Sequence, residues 1–114
     1  MIRIIVVDDH RLFRMGLKAA FEIGHPDMFI AGEADSGEEF FRILASTQAD
    51  VALLDINLPD MWGVEVARQL SRDYPKLKIL AVSAENTAET IEAMIEAGIH
   101  GFISKRNGDA NELA

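Results

Sequence analysis

Alternating strand and helix patterns predict an α/β domain built on a doubly wound, five-stranded parallel sheet. Three observations carry that expectation. Short apolar, β-branched runs recur along the chain, and an amphipathic stretch of helical period follows each of the first four. The first run, residues 2–7, is near-continuously apolar, as a strand buried on both faces must be. The length, 114 residues, suits one domain with one core and is too short for two.

Taken in order, residues 2–7 form the first strand. Residues 11–21 follow as a helix, with Leu12, Phe13, Leu17, Ala20 and Phe21 at helical spacing. Gly24, His25, Pro26 and Asp27 break it. Residues 28–31 are a shorter strand. Ser36 to Glu39 has the form of a capping box, ahead of an apolar face of Phe40, Phe41, Ile43 and Leu44. Residues 51–54 make the third strand. Residues 58–63 form a loop, and 64–72 a helix with Val66, Ala67 and Leu70 facing inward, ended by Pro75. Residues 78–82 are the fourth strand. Asn86 to Glu89 offers a second capping box before Ile91, Met94 and Ile95, and Gly98 stops that helix. Residues 101–105 are the fifth strand. Residues 109–114 read as the first turns of a fifth helix, left incomplete.

Bulk properties narrow the function. The chain is 49% hydrophobic and 26% charged, which places it among globular rather than disordered proteins. It has no cysteine, so disulfides and thiolate zinc sites are excluded. No apolar run would span a bilayer and no signal-peptide pattern is present, so a cytoplasmic location is expected and no membrane partner. A net charge of −8 argues against non-specific nucleic-acid binding by this domain.

The chemistry gathers where the strands end. Asp8 and Asp9 follow the first, Asp55 the third, Ser83 the fourth and Lys105 the fifth. In a parallel sheet these ends share one edge, where ligands of open α/β folds bind. Adjacent carboxylates repel by roughly 4 kcal/mol at 4 Å and an effective dielectric of about 20, which a divalent cation relieves. Oxygen ligands with open positions suit Mg²⁺. Asp55 at the end of a buried strand needs a partner, which Lys105 can supply, and Ser83 can donate to a phosphoryl oxygen. A carboxylate is then the natural nucleophile, giving an aspartyl-phosphate.

These residues together resemble the receiver domain of two-component response regulators, along the whole chain. The resemblance implies a flavodoxin-like (βα)5 fold. It makes Asp8 and Asp9 the acidic pair, Asp55 the phospho-acceptor, Ser83 the switch hydroxyl, Lys105 the lysine of the site and Phe102 the aromatic switch. It makes the backbone carbonyl of Asn57 a metal ligand beside Asp8, Asp9 and Asp55, with Mg²⁺ as cofactor. Asn57, Ala84 and Glu85 would tune the lifetime of the phosphoryl group. Leu58-Pro59-Asp60-Met61 with Gly63 matches the family's loop after the acceptor. Val7-Asp-Asp-His-Arg-Leu-Phe-Arg-Met-Gly-Leu17 is closest to the subclass with a LuxR-type helix-turn-helix output. Arg106 follows Lys105 where many receivers have proline, which removes the usual basis for a cis peptide there.

The implied function is a phosphorylation-controlled switch fed by a sensor histidine kinase. Such a domain catalyses its own phosphorylation and dephosphorylation without being a stand-alone enzyme. Expected partners are the kinase, a helix-turn-helix output domain of the same protein, a second copy of the chain, and DNA only through that output domain. Leu113 is the one large apolar residue of the last segment, so the chain is expected to continue into the rest of a fifth helix and the output domain. A haloacid-dehalogenase-like phosphatase needs a second Asp two residues after its nucleophile, where this chain has Asn57. A nucleotide-binding module needs a glycine-rich loop after the first strand, where this chain has Asp-Asp-His-Arg. An adaptor that no longer takes phosphate would not need the complete acidic, Ser and Lys set.

Outside that set, His10 reads as a solvent-facing helix start rather than a ligand, and His25 and His100 as loop residues without a role. Met15, Met28, Met61 and Met94 read as packing. Trp62 reads as a partly exposed loop residue or a partner contact.

Overall fold

The computed structural model describes residues 1–24, 27–84 and 87–104. Among these residues nine elements alternate: β1 (Ile2–Val7), α1 (Arg11–Gly24), β2 (Met28–Ala34), α2 (Gly37–Leu44), β3 (Val51–Asp55), α3 (Gly63–Asp73), β4 (Lys78–Ser83), α4 (Ala88–Ala97) and β5 (Gly101–Ser104). The strands form one parallel sheet in the order β2-β1-β3-β4-β5. This is the doubly wound, flavodoxin-like architecture that the alternation predicts. The expected fifth helix, over residues 109–114, lies outside the described residues.

Alternation along the central strands divides the core in two. Ile5 and Val7, with Ala52 and Leu54, face Phe40, Leu44, Val66, Leu70 and Met94 from α2, α3 and α4. Ile4, Val6 and Leu53 face Leu17 and Phe21 of α1 on the other side. Burial of these side chains is the main force holding the layers, at about 25 cal/mol per Å² of apolar surface.

Several local expectations shift. β2 runs three residues past the expected end, because Gly32, Glu33 and Ala34 pair with Ile5, Val6 and Val7. That pairing is non-local, and Gly and Glu carry little strand propensity of their own. Leu12 of α1 is exposed, while Phe13, Leu17 and Phe21 make the buried stripe at i, i+4 spacing. Ile95 of α4 is exposed for the same reason, one position round from buried Met94. Met94 is fully buried and Met28 half-buried, but Met15 faces solvent. Thr87 caps α4, its side chain accepting from the Thr90 N–H at 3.2 Å. Asn86 lies outside the described residues. Gly98 ends α4 at φ +100°, a left-handed conformation that favours glycine, as expected. Among the described residues no helix is long and apolar enough to cross a membrane.

Candidate functional site

Because β1, β3 and β4 are neighbours in register, their ends bring Asp8, Asp9, Asp55 and Ser83 to one edge of the sheet. Asp8 is 1% exposed, Asp55 3% and Ser83 fully buried. Asp9 is on the rim. Carboxylate oxygens of Asp8, Asp9 and Asp55, together with His10 Nδ1, all lie within 4.8 Å of one another. Three converging carboxylates, two of them buried, are an unfavourable arrangement for a fold on its own. As hard oxygen donors they fit Mg²⁺, which binds through one or two carboxylates and keeps its remaining positions for water and phosphate oxygens. The acidic cluster expected from the sequence is therefore assembled.

The backbone around the cluster is tied down. The Asp8 N–H donates to the Ala34 carbonyl at 2.9 Å, and the Arg14 guanidinium donates to the Asp8 carbonyl. Arg14 Nε also lies 3.3 Å from Glu33, so α1 and β2 together fix the turn after β1. The Asn57 N–H donates to Asp55 Oδ1 at 3.1 Å. Asn57 forms a β-bridge with Trp62, and the Gly63 N–H donates to the Ile56 carbonyl at 2.6 Å, closing the loop over residues 57–62. A side chain at Gly63 would meet Ile56 Cα at 2.5 Å and the Asp55 carbonyl at 2.9 Å. Only glycine allows that close approach beside Asp55.

Two features of the site were not legible as chemistry in the sequence. His10 is 62% exposed, as a solvent-facing histidine should be, yet its ring turns into the cluster. Nδ1 lies 2.8 Å from Asp8 Oδ1, 3.4 Å from Asp9 and 3.6 Å from Asp55. Its position directly after the Asp pair was the available signal. Asp60, in the loop after β3, takes the N–H groups of Gly37 and Glu38 at 2.8 and 2.9 Å, and so caps α2. Those bonds hold its carboxyl below the usual carboxylate range, Glu38's being the larger influence. Ser36 supplies the remaining cap, accepting from Glu39 N–H at 3.1 Å.

Of the other expected site residues, Ala84 is exposed just beyond the end of β4. Phe102 is half-buried on β5, pairs with Ala81 and packs against the larger core cluster. Ser104 pairs with Ser83 at the same edge. Lys105, Arg106 and Glu85 lie outside the described residues. Trp62 is about half exposed, and Met61 is also at the surface.

Comparison with known proteins agrees with this geometry. The family model for the response regulator receiver domain matches residues 4–114. The transcriptional regulatory protein LiaR of Bacillus subtilis is 35% identical over 114 residues, covering 100% of this chain and 53% of that protein. DegU of Brevibacillus brevis is 32% identical, over 98% of this chain and 47% of its own length. The chain thus spans about half the length of the curated relatives it matches. Among solved structures, the signal receiver domain of a response regulator from Mycobacterium tuberculosis superimposes with a TM-score of 0.85 at 32% identity, covering 98% of this chain and 89% of that one. With the fold, the acidic cluster and these matches in agreement, the chain belongs to the response regulator receiver domain family of two-component signalling.

Proposed function

We propose that this domain accepts a phosphoryl group from a sensor histidine kinase onto Asp55 and, through that change, controls an output domain that regulates transcription. The observation that carries the reading is the convergence of Asp8, Asp9 and buried Asp55 within 4.8 Å at the ends of β1 and β3, beside buried Ser83. In the proposed step an Asp55 carboxylate oxygen forms a bond to phosphorus as the donor's P–N bond breaks, and the departing imidazole nitrogen keeps the electron pair. Asp8 and Asp9, with Asp55 and the Asn57 carbonyl, would hold Mg²⁺. When bound, that cation would neutralise charge on the phosphoryl oxygens.

The chain's own groups do the rest. The Asn57 N–H steadies Asp55 from one side. Ser83 donates its hydroxyl to a phosphoryl oxygen, and Lys105 pairs with another. Drawing Ser83 toward Asp55 opens space that Phe102 fills, so that α4 and β5 carry the signal outward as a population shift. Asn57, Ala84 and Glu85 set how readily water reaches the phosphoryl group. The output domain and its DNA target are proposed because the relatives are named as transcriptional regulators about twice as long.

The test is mass spectrometry after incubation with acetyl phosphate and Mg²⁺. One phosphoryl group on Asp55 is expected in the wild type and none in Asp55→Asn, whose amide keeps the shape but not the nucleophilicity. Equal incorporation in the two would overturn the assignment.

A further inference from the structure

One donor in the acidic pocket is not an oxygen. His10 Nδ1 stands 2.8, 3.4 and 3.6 Å from carboxylate oxygens of Asp8, Asp9 and Asp55. Those separations match pairs of ligands on one small cation. With metal–ligand bonds of about 2.1 Å, two ligands at right angles are ~3.0 Å apart and two at the tetrahedral angle ~3.4 Å apart. The backbone that carries the ring is also held. The His10 backbone N–H donates to Asp8 Oδ1 at 2.7 Å, and α1 begins at the next residue. With 62% of the side chain exposed, water can serve the second ring nitrogen while Nδ1 presents its lone pair to the pocket. In the opposite tautomer Nδ1 donates to Asp8, which suits the pocket without a cation.

Ligand type decides which cation gains. Carboxylate and carbonyl oxygens suit Mg²⁺, whereas imidazole nitrogen suits Zn²⁺, Ni²⁺ and Cu²⁺. We propose that His10 is a fourth, nitrogen ligand of this pocket, and that it biases the site toward late first-row divalent cations, Zn²⁺ foremost, over Mg²⁺. The proposal rests on the reading of Asp8, Asp9 and Asp55 as metal ligands.

Calorimetric titration of the 114-residue chain with Zn²⁺ alone and Mg²⁺ alone tests it, for wild type and His10→Gln. Even a hydrogen-bond partner of a metal ligand costs about 10–100-fold in affinity when removed, so His10→Gln should lower the Zn²⁺-to-Mg²⁺ affinity ratio by about tenfold or more. A smaller fall overturns the proposal. Pulsed electron paramagnetic resonance of bound Mn²⁺ adds a direct readout. Nitrogen-14 coupling is expected in the wild type and absent from His10→Gln, and its absence from the wild type overturns the proposal. A wild type that binds neither cation overturns the metal reading as well. Binding of both cations with an unchanged ratio overturns the role of His10 alone.

Discussion

The two edges of the sheet handle charge in opposite ways. At the edge where β1 and β3 end, Asp8, Asp9 and Asp55 crowd together. At the edge where those strands begin, Asp50 is matched by Arg3. Arg3 Nε and Nη2 donate to the two Asp50 oxygens at 3.1 Å each, and the Arg3 N–H adds a third bond at 2.8 Å. The guanidinium's hydrogen bond, above all, draws the Asp50 carboxyl down to about 2 from an ordinary 3.8. One edge pairs charges of opposite sign, and the other gathers charges of like sign. The contrast points to where the proposed function would reside: the like charges gathered at one edge are those that the proposed phosphoryl chemistry would use, with a cation to relieve them.

That contrast can be broken at several points. The largest effect is expected from the cation. Mg²⁺ at about ten times its Kd should stabilise the fold by about 1.4 kcal/mol, since it binds only the folded state. For a domain of this size that corresponds to a melting point roughly 4–8 °C higher. Asp9→Ala should lose most of the increase. Equal melting points with and without Mg²⁺, at matched ionic strength, would remove the distinction between the edges.

A smaller effect should follow in the loop after β3, at the acidic edge. Asp60→Ala deprives α2 of its two backbone caps and should cost about 1 kcal/mol in urea unfolding. Its carboxyl is depressed in the folded state, so the contribution is present above the unfolded carboxylate pKa and lost as pH falls. A variant as stable as wild type at neutral pH would show that the caps contribute nothing.

The smallest concerns Arg3 and Asp50, both well exposed, where solvent limits the gain. Asp50 is depressed on folding, so its contribution is full above pH 3.8 and fades as pH falls toward about 2. Asp50→Asn should therefore be less stable than wild type at pH 6, and the gap should shrink steadily as pH falls toward 2. A gap that widens on acidification would reverse the sign of this account.

Local pattern carried most of the fold. Apolar runs marked β1, β3 and β4, and the ends of those runs located Asp8, Asp55 and Ser83 before any geometry was known. What stayed hidden depends on partners distant in the chain. Asp60 caps a helix more than 20 residues earlier, and nothing in its loop announces that. His100 seemed idle, yet its Nδ1 accepts from the Ile79 N–H at 3.0 Å and its N–H donates to the Ile79 carbonyl at 2.8 Å, an added rung where β5 has not yet begun. The tail of β2 formed because β1 lay beside it, not through its own propensity.

The central claim is that the acidic edge is held for chemistry at a cost to the fold. Urea unfolding of wild type and Asp55→Asn in EDTA tests it directly. The substitution removes one of three converging charges and retains an oxygen that can accept from the Asn57 N–H. The unfolding midpoint of Asp55→Asn should therefore lie at or above that of the wild type. A clearly lower midpoint would mean that the Asp55 carboxylate stabilises the fold, and would contradict the claim.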